Sequence, residues 1–260
     1  MKTSSPKRAA QAPRKRAQNT APSGVARFNG NSAATLSDIQ YDRLHEAIVS
    51  MDMVPGTPIS EKNIALEQGI SRTPIREAIL RLTRENLVEV VAKSGTFVAR
   101  IPISALPEAL IARRALEVMT VRSATRCATR SQVLQLQALI ERQREMNERG
   151  NTKGFHLADE DFHAMVASIG KLPGLWKLAQ QVKLQVDRFR HLTLPEEGRM
   201  AMVVEEHAAI VSAIERGDEE SACAKMELHL SGLQHDFAHW VETHPEYFIH
   251  DIDLDDIAQV

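Results

Sequence analysis

From Leu36 onward apolar residues recur at helical spacing: Ile39 follows, then Leu44, Ala47, Ile48 and Met51 at i, i+3, i+4 and i+7. Pro55-Gly56 predicts the end of that helix, and a short second helix over 61–68 stops at Gly69. Thr73-Pro74 reads as an N-cap followed by proline at the first position of a third helix, which runs to about residue 86. On a helical wheel Ile75, Ala78, Ile79 and Leu82 share one arc, while Arg72, Thr73, Arg76, Arg81 and Arg84 occupy the other. Leu80 is the apolar exception among the basic positions. The apolar runs 87–91 and 96–99, separated by Lys93-Ser94-Gly95, predict a β-hairpin with glycine available for its turn.

After Ala105-Leu106-Pro107 the pattern changes to long helices. Leu110, Leu116 and Met119 mark one and Leu134, Leu136, Leu139 and Ile140 a second; four more are expected over 155–169, 176–190, 202–216 and 219–240. Gly217-Asp218 supplies the turn between the last two, and no strand signal of comparable strength occurs. The expected fold is mainly α: residues 36–100 as a three-helix unit with a hairpin, then residues 101–245 as an antiparallel helical bundle with ligand sites between its helices. Residues 1–35, rich in Ser, Pro, Ala, Gln and Asn without apolar periodicity, read as a disordered arm. Residues 246–260, with Asp251, Asp253, Asp255 and Asp256, read as a frayed acidic tail.

Composition narrows the class. The chain has 260 residues, 43% hydrophobic and 25% charged, enough for a sizeable core, and no apolar stretch approaches the roughly 18–20 residues that span a bilayer. An integral membrane protein is excluded on that pattern. Cys127 and Cys223 show no C-x-x-C spacing, fit a reducing cytoplasm, and read as buried small hydrophobes. Residues 1–35 lack the apolar core of a signal peptide and an acylation signal. The net charge of -2 conceals +7 over residues 1–35, -1 over 36–100 and -8 over 101–260. This asymmetry directs an anionic partner to the front of the chain and away from the rest. The basic arm reads equally as a phosphate-attracting segment and as a solvated tail.

Helix, glycine turn, helix is a DNA-reading geometry, in which the N-terminal residues of the second helix meet base edges and phosphates in the major groove. Arg72, Thr73 and Arg76 lie in that turn; arginine can hold guanine O6 and N7 together, and Thr73 can reach phosphate. The competing reading is an ordinary basic solvent face. Residues 41–100 resemble the winged helix-turn-helix of the GntR transcription regulators, on Val54-Pro55-Gly56, Ile64-Ala65 and above all Gly69-Ile70-Ser71-Arg72-Thr73-Pro74-Ile75-Arg76-Glu77-Ala78-Ile79. The resemblance implies DNA contacts from Arg72, Thr73 and Arg76, from Lys62 where the family usually has arginine, and from a wing with Gly95 at its tip. Asn86 and Asp52 stand where the family usually has glycine; asparagine tolerates a left-handed conformation well, aspartate less so.

In the helical region Asp159 and His163, at i and i+4, share one helical face, and His207 and His229 lie on later helices among apolar neighbours. One carboxylate and three imidazoles suit zinc, nickel, manganese or iron, although lone histidines more often satisfy structural hydrogen bonds. His235 and His239 form a competing i, i+4 pair or a solvated face. Residues 106–240 resemble the FCD effector-binding domain of the FadR-type branch of GntR regulators, a bundle of six or seven helices. The matching stretches are Arg113-Arg114-Ala115-Leu116-Glu117, Asp159-Glu160-Asp161-Phe162-His163, Glu206 to Ile214, and Met226-Glu227-Leu228-His229-Leu230, with Ile169 and Lys171 as departures near one helix connection. The resemblance implies a divalent transition metal, zinc first, on Asp159, His163, His207 and His229. It also implies that Arg113 binds an effector carboxylate, the alternative being an ion pair with a nearby glutamate. Arg188 and Arg190 are weaker candidates, one of which is expected to face solvent.

The function expected is a cytoplasmic, ligand-responsive transcription regulator, not an enzyme. It would bind a palindromic operator as a homodimer, with its affinity for double-stranded DNA altered by a small organic acid beside the metal. The alternative is a metal-dependent hydrolase carrying a DNA-binding domain, which requires an open metal position, an access route and a general base. Glu160 and Glu206 adjoin the ligands, but neighbours along a helix point in different directions.

Overall fold

The computed structural model describes Met1 and residues 34–233 and 237–252; the basic arm and Asp253, Asp255 and Asp256 fall outside the described residues. Helix α1 (Leu36–Val49) opens on a capping box, in which Thr35 Oγ1 accepts from the Asp38 amide and the Asp38 carboxylate accepts from that of Thr35. Its buried line is Gln40, Leu44 and Ile48, whereas Leu36 and Ile39, expected on the apolar face, are exposed. The left-handed residue after α1 is Met51 (φ 61) and not Asp52. Asp52 instead accepts from Ser50 Oγ and pairs with Lys153.

Helix α2 (Glu61–Gln68) ends on left-handed Gly69, as its sequence predicts. Helix α3 (Arg72–Arg84) begins earlier than expected: Ser71 is the cap residue, without a side-chain cap bond, and Pro74 is the third helical residue. Proline is tolerated there because the first-turn amides have no intrahelical acceptor. Ile75, Ala78, Ile79 and Leu82 are all buried, joining Leu44, Ile48 and Leu87 in one core. Arg81 leaves the outward basic arc, pairing with Asp38 at 2.8 Å and lying over the Tyr41 ring. Asn86 takes the left-handed conformation (φ 56) expected of a glycine substitute.

The hairpin is β1 (Val88–Val91) against β2 (Gly95–Val98), in antiparallel register with Val91 opposite Gly95. Gly95 is therefore the first residue of the second strand, and the tip is Ala92-Lys93-Ser94 with Lys93 left-handed (φ 65). At φ 136, Gly95 adopts backbone that side-chain-bearing residues rarely reach.

A short strand, β3 (Ile101–Pro102), then leads into the bundle of α4 (Ala105–Cys127), α5 (Arg130–Glu148), α6 (Thr152–Ile169), α7 (Pro173–Val182), α8 (Leu184–Thr193), α9 (Arg199–Glu215), α10 (Glu219–Ser231) and α11 (Phe237–Thr243). Eight bundle helices among the described residues exceed the six or seven expected, because two predicted helices are divided. The 176–190 prediction breaks at Lys183, whose backbone reaches ψ 1 while its ammonium turns inward to Glu160 and Asp187. The 219–240 prediction breaks after Ser231, at Gly232, which brings the weakest helix propensity short of proline. The α6–α7 connection places Lys171 in the left-handed region (φ 58), a physical reason for asparagine to be common there.

Core residues from α4, α5, α6, α9 and α10 pack together, including Phe155, Phe162, Ile210 and Met226. A second cluster joins the start of α4 to α8, α11 and a strand absent from the sequence prediction. That strand, β4 (Phe248–Ile249), pairs in parallel with β3. Phe248 is buried and Asp251 accepts from both the amide and the hydroxyl of Ser104, so this part of the expected frayed tail is docked. No helix among the described residues is long and apolar enough to cross a membrane.

Candidate metal centre and DNA-reading face

Helix α6 brings Asp159 and His163 to one face, α9 brings His207 and α10 brings His229; all four are buried, with ligand-type atoms within 4.8 Å of one another. His207 Nε2 lies 3.2 Å from His229 Nε2, and the Asp159 oxygens lie 3.8 Å from the Nε2 atoms of both His163 and His207. Donors at about 2.1 Å from a tetrahedral ion stand about 3.4 Å apart, so these separations are of the right size.

Each imidazole is oriented by its other nitrogen. His207 Nδ1 meets Gln143 Oε1 at 3.0 Å and His229 Nδ1 meets Glu206 Oε2 at 2.7 Å. His163 Nδ1 lies 2.5 Å from Glu117 Oε2, close but poorly aligned for a hydrogen bond. Outward Nδ1–H groups imply inward Nε2 lone pairs, the tautomer metal ligands adopt when an outer carboxylate or amide holds the ring. Asp159 Oδ1 is buried without a hydrogen-bond partner. An orphaned carboxylate oxygen and facing imidazole lone pairs fit a divalent cation.

Electrostatics reinforce that state. Burial pushes His207 and His229 well below the ordinary imidazole range, so both are neutral. Burial alone would raise the Asp159 carboxyl, but the Arg190 guanidinium, which donates to it at 2.6 Å, holds it well below the carboxylate range. Glu117 follows the same logic, with Arg113 and His163 overcoming its burial.

Arg113 forms the ion pair offered as its alternative reading: its Nε donates to Glu117, and its Nη2 lies 3.3 Å from His163 Nε2. Arg113, Arg190 and Arg199 line a narrow cavity beside His229, with Leu194, Val203 and Leu230 also in its wall. Neither Arg188 nor Arg190 faces solvent. Arg188 donates to the backbone carbonyl of Ala99 and to Gln185, and burial without an acid partner pulls it down to about 10.

Sequence reasoning missed Glu117, Gln143 and Glu206 as partners of the imidazoles. Glu117 sits four residues from Arg113 in a quoted motif, so its spacing was a usable signal; Gln143, in a polar helix, offered none. Glu160 does turn away, toward Lys183, but Glu206 reaches the site through His229. His156, Glu160 and Asp187 form another group of ligand-type side chains, already bridged in part by the Lys183 ammonium. His239 is exposed, and His235 lies outside the described residues.

In the N-terminal unit Lys62 at the start of α2 and Arg72, Thr73 and Arg76 at the start of α3 are all exposed, with Gly95 in the wing. Arg72 Nη2 donates to Glu61 Oε2 at 2.9 Å. A winged helix-turn-helix ahead of an all-helical unit with a buried Asp/His centre is the architecture of a DNA-binding transcription regulator. Residues 37–98 match the bacterial regulatory proteins of the gntR family and residues 108–232 match the FCD domain. The Uxu operon regulator of Haemophilus influenzae is 32% identical over 193 residues, 67% of this chain and 71% of that protein. The HTH-type transcriptional repressor RspR of Escherichia coli is 29% identical over 193 residues, covering 74% and 85% respectively. The solved structure of E. coli McbR/YncC has the same fold, with a TM-score of 0.66 at 23% identity over 82% of this chain and all of that one. The chain belongs to the GntR family of transcription regulators and carries an FCD domain.

Proposed function

We propose that residues 36–100 read a palindromic operator as part of a homodimer, and that residues 101–245 sense a small carboxylate beside a divalent metal, in the cytoplasm and without catalysis. The observation that carries the sensing half is the convergence of three Nε2 atoms on a carboxylate, with every Nδ1 turned outward. Asp159, His163, His207 and His229 would hold the ion, zinc first among zinc, nickel, manganese and iron. When bound, the metal supplies a Lewis-acidic position for a carboxylate oxygen. Arg113 and Arg190 line the adjoining cavity and would give the effector a complementary charge.

The reading half rests on the exposed, basic first turn of α3 with Lys62 beside it, which present a fork for guanine and contacts for phosphate. Ile111 and Met119 on α4, with Leu178 and Val182 on the adjoining α7, are large exposed apolar residues suited to an isologous contact with a second copy. Coupling between the halves has physical links in Arg188 to Ala99 and in Lys153 to Asp52.

The decisive experiment is metal analysis of protein purified without a polyhistidine tag, followed by operator binding with and without carboxylates. One equivalent of metal per chain and a carboxylate-dependent change in operator affinity are expected. Arg113→Lys, which keeps charge but loses the fork, should weaken that response while leaving effector-free operator binding nearly intact. Metal at trace level with melting unchanged by chelator would return the histidines to a purely structural role, and metal-dependent turnover lost in His207→Ala would favour a hydrolase.

A further inference from the structure

Three basic side chains, Lys62, Arg72 and Arg76, stand on the DNA-reading face, yet they are not equivalent. Lys62 and Arg76 have no ion-pair partner among the described residues, whereas Arg72 is held by Glu61. Each member of the pair is the first residue of its helix, so the N-terminal ends of α2 and α3 present an acid and a base to each other. The carboxylate is mostly covered, at 20% exposure, while the guanidinium remains 65% exposed.

An exposed ion pair adds little to stability, so the fold gives small reason for this one. On a surface that must approach phosphates a carboxylate is also a cost: it repels every DNA sequence alike. Its effect on Arg72 is different in kind. The bond engages Nη2 and leaves the other guanidinium nitrogens without a partner among the described residues, restricting the plane of a group whose specific contact, the paired hydrogen bonds to guanine O6 and N7, depends on that plane. Sequence-independent phosphate contact has no such geometric demand, and Glu61 charges it a repulsion that a correctly read guanine offsets.

We propose that Glu61 is a specificity-determining positioning residue: it aims Arg72 at a guanine edge and disfavours the use of Arg72 as a general phosphate contact. This rests on the reading of Arg72 as a base-contacting residue. Glu61 thereby lowers affinity for arbitrary DNA more than affinity for the operator, and raises the ratio between them.

The test uses the full-length protein and an operator obtained by selection from a randomised duplex pool, with poly(dA-dT), which offers no guanine edge, as arbitrary DNA, at fixed salt. Glu61→Gln should tighten poly(dA-dT) binding by about three- to tenfold while leaving operator binding unchanged or weaker, so the specificity ratio falls about tenfold. Selection repeated with the variant should lose base preference at the position read by Arg72. In an Arg72→Ala background the same substitution should leave the ratio unchanged. Equal tightening of both DNAs, or no change in either, would reduce Glu61 to a bystander charge and overturn the proposal. If Arg72→Ala alone leaves operator affinity and base preference intact, the base-contacting role of Arg72 fails instead.

Discussion

The two halves of the described chain distribute charge in opposite ways. In α3 the apolar arc is buried and most of the arginines face out. In α8, a helix of ten residues, Gln185, Asp187, Arg188 and Arg190 are all buried. A surface that meets an anionic polymer needs its cations exposed and its interior ordinary, whereas a cavity that meets a small charged ligand needs its charges inside and paired. Polarity along the chain is thus a guide to burial in the reading unit and a poor one in the sensing unit.

The sharpest way to break this contrast is to remove one interior charge. Asp159→Ala would leave Arg190 buried without its partner, and is expected to lose about 3–5 kcal/mol of unfolding free energy, measured in urea with and without metal. A loss no greater than that of a surface substitution would mean that the interior charges are not mutually dependent.

The reciprocal operation on the exterior should affect binding alone. Arg72→Ala and Arg76→Ala are each expected to reduce operator affinity by about 1–3 kcal/mol with melting nearly unchanged. Removal of residues 1–35, of which 2–33 lie outside the described residues, should lower the salt dependence of binding without altering base preference. An unchanged salt slope would make that arm a spectator.

Acid should act on the sensing unit more than on the reading unit. Burial depresses His207 and His229, and lowers His156 to about 3 and His191 to about 4. Above pH 6.5 these imidazoles are neutral in both folded and unfolded chains; below it the unfolded chain gains protons the folded one refuses, so stability falls. Melting measured from pH 7 to pH 5 should decline; metal should raise melting at each pH without reducing the decline, because it too keeps the folded-state imidazoles unprotonated. A flat profile would contradict the burial of these rings. The smallest effect is expected at Met51, whose left-handed backbone favours glycine: Met51→Gly should stabilise by about 0.5–1 kcal/mol, read in the same urea titration.

How much was legible follows from these contrasts. Gly69, the buried arc of α3 and the hairpin could be read because each rests on local chemistry: a left-handed cap, a 3.6-residue period, alternating short runs. The four ligand candidates were visible as residue types, and their convergence is a fact of packing among three helices. What was not legible depends on distant partners. Leu36 and Ile39 have the apolar period but no neighbour among the described residues to cover them, and Lys183 interrupts a helix with its side chain turned to carboxylates on α6 and α8. Strand β4 is only two residues long, too short for any period, and exists because Ile101 and Pro102 await it.

That last pairing has a consequence for how the molecule comes into being. The segment joining the reading unit to the bundle is hydrogen-bonded to residues near the end of the chain, with Phe248 opposite Ile101. During vectorial synthesis the N-terminal unit is complete long before Phe248 leaves the ribosome. The junction therefore acquires its clasp only after the whole helical bundle has been synthesised, and until then a nascent regulator carries a reading unit whose tether is not yet fastened.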